Sequence, residues 1–160
     1  MTRARIWAAT VFIDYVTGYI HVGLMTDQSG DQTLQVKHDF EHKCATCDID
    51  IKQYHADNGR FAEKTFLNSI KKCMQRITFC GVGAHHQNGI TENTIKQLTL
   101  VSRTILLHAQ SHWPEYITTM LWPFALKAAQ DRLNQLNMGL DGRTPDMKFS
   151  GVAATTLRLR

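Results

Sequence analysis

With 160 residues, 43% hydrophobic and 20% charged, the chain has the length and apolar content of one soluble globular domain. No apolar run reaches the roughly 18 uninterrupted residues that a membrane span needs. The basic start Met1-Thr2-Arg3-Ala4-Arg5 leads into Trp7 to Ile13, a run too short and β-branched for a signal peptide, and four cysteines without a secretory signal point to reduced thiols inside a cell. The net charge of +4 is uneven: residues 1–95 carry ten Lys/Arg against ten Asp/Glu, residues 96–160 eight against four. The basic excess lies wholly in the second stretch, which suits a polyanionic partner or plain solubility.

In chain order, Ala8 to Ile13 is β-branched and apolar and predicts a buried strand. A Thr17-Gly18 turn leads into a second strand over Tyr19 to Met25, paired antiparallel to the first. Leu34, Phe40, Cys44 and Cys47 predict an amphipathic helix over 31–47, and Ile51 to Ala56 is a strand that ends at Asp57. Phe61, Phe66, Leu67, Ile70 and Met74 predict a helix over 62–75, followed by a strand from Ile77 to Val82 and a polar loop over 83–89. A long helix over 90–108 turns Ile95, Leu98, Val101, Ile105 and Leu106 to the core. Trp113-Pro114 predicts the start of another helix, kinked at Pro123 and ending near Leu136. From Gly139 onward Gly, Asp, Pro and Ser read as a linker. The order predicts an α/β domain with a mixed sheet flanked by helices, spanning 1–148, with a tail over 149–160.

The chemistry centres on two acids. Asp57 ends a strand and is followed by the turn pair Asn58-Gly59, and 35 positions later Glu92 opens a long helix behind a glycine-bearing polar loop. Each has an ordinary explanation, Asp57 as a turn residue and Glu92 as an answer to the helix dipole. Together they place two carboxylates at the ends of different elements, where they can converge on hard divalent cations. Two such cations roughly 3.5–4 Å apart stabilise the attacking and leaving oxygens of an in-line phosphoryl displacement.

Tyr54-His55-Ala56-Asp57-Asn58-Gly59-Arg60-Phe61, Phe79-Cys80-Gly81-Val82 and Gln87-Asn88-Gly89-Ile90-Thr91-Glu92 resemble the signature segments of copia-type retrotransposon integrase cores. Phe12-Ile13-Asp14-Tyr15, Arg103 to Leu107, Trp122-Pro123-Phe124-Ala125 and Gly142-Arg143-Thr144-Pro145 fit as well, so the resemblance runs from about residue 8 to 148. It implies a ribonuclease H-like fold and Mg²⁺- or Mn²⁺-dependent cleavage and strand transfer of retroelement DNA, with Asp57 and Glu92 as the second and third metal-binding acids. It also implies DNA and further copies of the chain as partners, no membrane, and action in the nucleus. The family's first catalytic Asp lies on a strand before the Phe-Ile-Asp segment, which here falls at or before Met1. On that pattern the chain starts one strand late, without the first metal ligand; Asp14, which spacing alone offers as the third acid, is then a strand-end residue or one that supports the ligands. An inactive relic that keeps nucleic-acid or protein binding is one alternative, and a ribonuclease H-type or transposase nuclease another.

Lys96 and Arg103, four and eleven positions after Glu92, share its helix face and are candidates for phosphate contacts, as is the loop residue Asn88. His85-His86 in the same loop could contact substrate or simply be solvated. His38, His42, Cys44 and Cys47 invite a zinc reading, but on a helix His38 and His42 take one face and the cysteines another, so four ligands do not meet. Trp7, Trp113 and Trp122 sit among apolar neighbours and read as core.

Overall fold

The computed structural model describes residues 5–81 and 89–151. Its elements are β1 (Ala8–Ile13), β2 (Ile20–Met25), α1 (Gly30–Ala45), β3 (Gln53–Ala56), α2 (Lys64–Lys72), β4 (Arg76–Phe79), α3 (Gly89–His112), α4 (Trp122–Leu136) and α5 (Pro145–Ser150). The chain folds into two compact units. One holds the described residues up to Phe12 and from Val22 to Gln97; the other holds Ile13–His21 and the residues from Leu98 onward. No helix among the described residues is long and apolar enough to cross a membrane.

In the first unit β3 and β4 run parallel, joined by α2, with Gln53 opposite Arg76, Tyr54 opposite Ile77, His55 opposite Thr78 and Ala56 opposite Phe79. The alternation in β3 buries Tyr54 and Ala56 and exposes Gln53 and His55. Phe12, Phe40, Tyr54, Phe61 and Phe66 form the core's aromatic chain: Phe12 stacks on Phe40 at 5.3 Å between centroids and meets Tyr54 edge-on at 5.9 Å. Gly23 lets β2 lie flat on α1, because a Cβ there would come within 1.9 Å of the Val36 side chain. The expected single mixed sheet is replaced, among the described residues, by two two-stranded sheets, β1–β2 and β3–β4. Strand β1 meets β3 through the rings of Phe12 and Tyr54 instead of through a hydrogen-bonded ladder.

A polar cluster is buried under this core. Lys37 on α1 is fully buried; its Nζ donates to Glu41 Oε1 at 2.8 Å and to Ser69 Oγ of α2 at 3.1 Å. The same Glu41 oxygen accepts from Tyr54 Oη at 3.0 Å and from Gln75 Nε2 at 2.6 Å. Burial pushes the Glu41 carboxyl up, but the bonds from Lys37, Gln75 and Tyr54 outweigh it and hold the group below its ordinary value of 4.5. Burial, reinforced by the Glu41 charge, pushes the Tyr54 hydroxyl up.

In the second unit Asn134 of α4 clamps Ile20, accepting its N–H at 2.9 Å and donating to its carbonyl at 2.8 Å. Tyr19 stacks on Phe149 of α5 at 4.0 Å, and Ala125, Ala129 and Leu133 complete the buried face of α4. Pro123 does not kink a helix: it lies in the first turn of α4, where its missing N–H has no partner to lose. Helix α3 instead runs on to His112 and ends before Trp113-Pro114. The stretch read as linker contains α5, capped by the Thr144 hydroxyl, which accepts Met147 N–H at 3.3 Å, and closed by left-handed Gly151. Trp7 and Trp113 are not core: they are 63% and 57% exposed, and the Arg5 guanidinium lies 4.3 Å over the Trp7 ring.

Glu41→Ala leaves the Lys37 ammonium buried without its counter-charge and is expected to lower unfolding free energy by about 3–5 kcal/mol in urea titrations at neutral pH. A Lys37→Met/Glu41→Leu double variant is expected to recover most of that loss. Because the folded Glu41 pKa is depressed, its contribution is present above 4.5 and lost as pH falls through the folded value. The melting temperature of the double variant should therefore fall less than wild type below that pH.

Candidate functional site

Asp57 sits one residue beyond β3, at the end of the parallel pair, and is exposed. Its Oδ1 accepts the N–H of Gly59 at 3.1 Å, an Asx turn that fixes the carboxylate's direction. The neighbouring Asn58 donates from Nδ2 to the carbonyl of Cys80 at 3.1 Å, tying the turn to the end of β4. Asp57 lines a cleft of about 290 Å³ with Thr10, Met25, Gln28, Arg60 and Phe61. The Arg60 guanidinium reaches Gln28 Oε1 at 3.5 Å and Glu63 at 3.8 Å, both exposed contacts that hold it loosely. Arg60 lines the same cleft as Asp57. In the sequence its signal was no more than a base three positions after an acid.

Glu92 occupies the first turn of α3 and is exposed, in the same compact unit as Asp57. Lys96 and Arg103 are exposed on the same helix, Lys96 in the first unit and Arg103 in the second. Asn88 and the His85-His86 pair lie outside the described residues. Asp14 is engaged elsewhere: its Oδ2 accepts the Thr17 N–H at 2.9 Å and the Thr17 hydroxyl at 2.5 Å, closing the β1–β2 turn. His38 and His42 lie on α1 and are exposed, whereas Cys44 is buried and Cys47 lies past the helix end.

The donor chemistry suits a hard cation. Asp57 and Glu92 offer exposed carboxylate oxygens, the ligand type magnesium and manganese take, and the Gly59 N–H occupies Oδ1 of Asp57. Among the described residues, no group of three or more His, Cys, Asp or Glu forms a metal cluster, so the supply of protein ligands there is short. Two carboxylates bind a divalent ion more weakly than three.

No protein-family model matches the chain, and no curated protein matches it. Solved structures do. The HTLV-2 integrase catalytic core domain in complex with magnesium, in its dimeric form, superposes with a TM-score of 0.67 at 18% identity, covering 88% of this chain and 83% of that one. The catalytic core domain of BIV integrase gives 0.64 at 18% identity over 87% and 82%. A simian T-cell lymphotropic virus intasome in complex with PP2A regulatory subunit B56 gamma gives 0.67 at 18% identity over 87% of this chain and 46% of that one. At this identity the likeness establishes the fold: the chain has the mixed α/β fold of retroviral integrase catalytic cores.

The Asx turn makes the local cost of altering Asp57 calculable. Asp57→Asn keeps an acceptor for Gly59 and is expected to change unfolding free energy by less than about 0.5 kcal/mol. Asp57→Ala loses the bond and is expected to cost about 0.5–1.5 kcal/mol, read as a lower thermal midpoint. Equal midpoints for the two variants would show that the turn does not depend on the carboxylate.

Proposed function

We propose that the chain is a polynucleotidyl-transferase core of the ribonuclease H-like, copia-type kind that acts on retroelement DNA by 3′-end processing and strand transfer. The observation that carries this reading is Asp57: an oriented, exposed carboxylate at the end of a parallel strand, facing a cleft, in a fold shared with integrase cores. The magnesium in the HTLV-2 core supports the choice of cation. Asp57 and Glu92 would hold Mg²⁺ or Mn²⁺, which when bound activates the attacking hydroxyl and steadies the leaving oxygen.

The chain's own residues do the rest. The Gly59 N–H keeps the Asp57 carboxylate in one orientation, which lowers the cost of ordering it around a charge. Arg60 in the cleft, Lys96 on α3 and Arg103 further along that helix supply cations for DNA phosphates, with Asn88 as a polar contact from the loop. No protein nucleophile is needed, because water or a DNA 3′-hydroxyl attacks the phosphorus. Acting on chromosomal DNA places the protein in the nucleus. Self-association is supported by the exposed Leu100, Leu107, Trp113, Tyr116 and Phe124 of the second unit.

Calorimetric titration with Mn²⁺ is expected to give millimolar-range affinity for wild type, weakened about tenfold or more in Asp57→Asn and in Glu92→Gln; equal binding by all three would remove the metal assignment. Duplex affinity is expected to fall steeply with salt, and Lys96→Ala to reduce the slope of log K against log salt by about 1 without changing sequence preference. A salt-insensitive complex, or an unchanged slope, contradicts the phosphate role of Lys96. Catalysis and mere binding separate on Mn²⁺-dependent nicking of a duplex end.

A further inference from the structure

A second donor pair lies at the end of the β3–β4 sheet, with His55 exposed and Cys80 buried. His55 of β3 and Thr78 of β4 face each other in register, and Cys80, one residue past β4, follows Thr78 at the two-residue spacing that returns a side chain to the same face. Cys80 Sγ lies 3.4 Å from His55 Nε2, and His55 Nδ1 lies 2.9 Å from Thr78 Oγ1. The hydroxyl of Thr78 donates to the Tyr54 carbonyl at 3.4 Å, so its oxygen receives the Nδ1–H of His55. That assignment leaves Nε2 without its proton, the form that accepts from the thiol or takes a metal. The backbone holds both donors in place: Cys80 N–H donates to the Ala56 carbonyl at 3.0 Å, and the Cys80 carbonyl accepts from Asn58.

We propose that Cys80 and His55 bind one borderline-soft divalent cation, of the zinc or cobalt class, with water completing the shell. Thiolate sulfur and imidazole nitrogen are the donors that class prefers, and the hard carboxylate of Asp57 is not. The spacing fits. With metal–sulfur and metal–nitrogen bonds of about 2.3 and 2.05 Å, a 3.4 Å separation gives an angle of about 103° at the ion, close to tetrahedral. The Nδ1–H bond to Thr78 is the outer hydrogen bond that sets the tautomer of a metal-bound histidine. His55 and Thr78 are exposed and Cys80 is buried, so an ion arriving from solvent meets the imidazole first. On binding, the Cys80 thiol proton passes to water and the sulfur lone pair goes to the metal. Two protein donors make this an exchangeable site rather than a structural one.

The test uses the full chain and Co²⁺ as probe. One equivalent should produce the near-ultraviolet thiolate-to-cobalt charge-transfer band, lost in Cys80→Ser and weakened about tenfold or more in affinity in His55→Gln. The band should persist in Asp57→Asn and in millimolar Mg²⁺, which separates this site from the hard one. A measurement free of variants covers misfolding: Zn²⁺ should slow iodoacetamide labelling of Cys80 at least about fivefold in wild type while leaving the exposed Cys73 unchanged, as read by peptide mass mapping. Absence of the band, its survival in Cys80→Ser, its loss in Asp57→Asn, or unprotected labelling of Cys80 would each overturn the proposal.

Discussion

The first unit is organised around one oxygen. Glu41 Oε1 accepts from Lys37, Tyr54 and Gln75, and Lys37 reaches across to Ser69, so a single buried cluster joins α1, α2, β3 and the approach to β4. A lysine with no exposed surface is tolerable only because its charge is paired and its protons are used. Such a cluster adds little net stability compared with an apolar one of the same shape, but its directional bonds fix the packing of α1 on the sheet. Tyr54 is the link to the site. Its hydroxyl is held by Glu41, its ring packs against Phe12 and Phe66, and three residues further on the strand delivers Asp57 to the surface.

Much of this was legible because local signals and tertiary packing agree. Alternation in Ile51 to Ala56 predicted a strand, which forms over Gln53–Ala56, and Asp57-Asn58-Gly59 predicted the turn that the Asp57 side chain in fact closes. Lys37 was not legible. No pattern marks a lysine as core, since its burial depends on Glu41 one turn away and on Ser69 thirty-two residues away. The tryptophans misled for the opposite reason. Apolar neighbours in sequence placed Trp7 in the core, whereas its ring lies exposed under Arg5. Pro123 was read as a kink within one helix, whereas Thr118 to Leu121, a non-helical approach followed by a short 3-10 turn, put it in a first turn. Thr144-Pro145 carried a cap-and-first-turn signal that the surrounding Gly and Asp obscured.

The sheet end presents donors of two kinds within a few residues. Asp57 offers hard oxygen at the end of β3, while exposed His55 and buried Cys80 offer nitrogen and sulfur on the same pair of strands. Ligand softness would separate the cations that the two donor sets take, even where strand geometry keeps the residues close. Asn58 touches both arrangements, flanking Asp57 in the turn and bonding the Cys80 carbonyl.

The central claim is that Asp57 and Glu92 converge on one hard cation. Crystals of the chain equilibrated with Mn²⁺ and measured at the manganese absorption edge test it most directly. The account predicts an anomalous peak within bonding distance of carboxylate oxygens from both Asp57 and Glu92. A peak that touches neither, or no peak at saturating Mn²⁺, would contradict it.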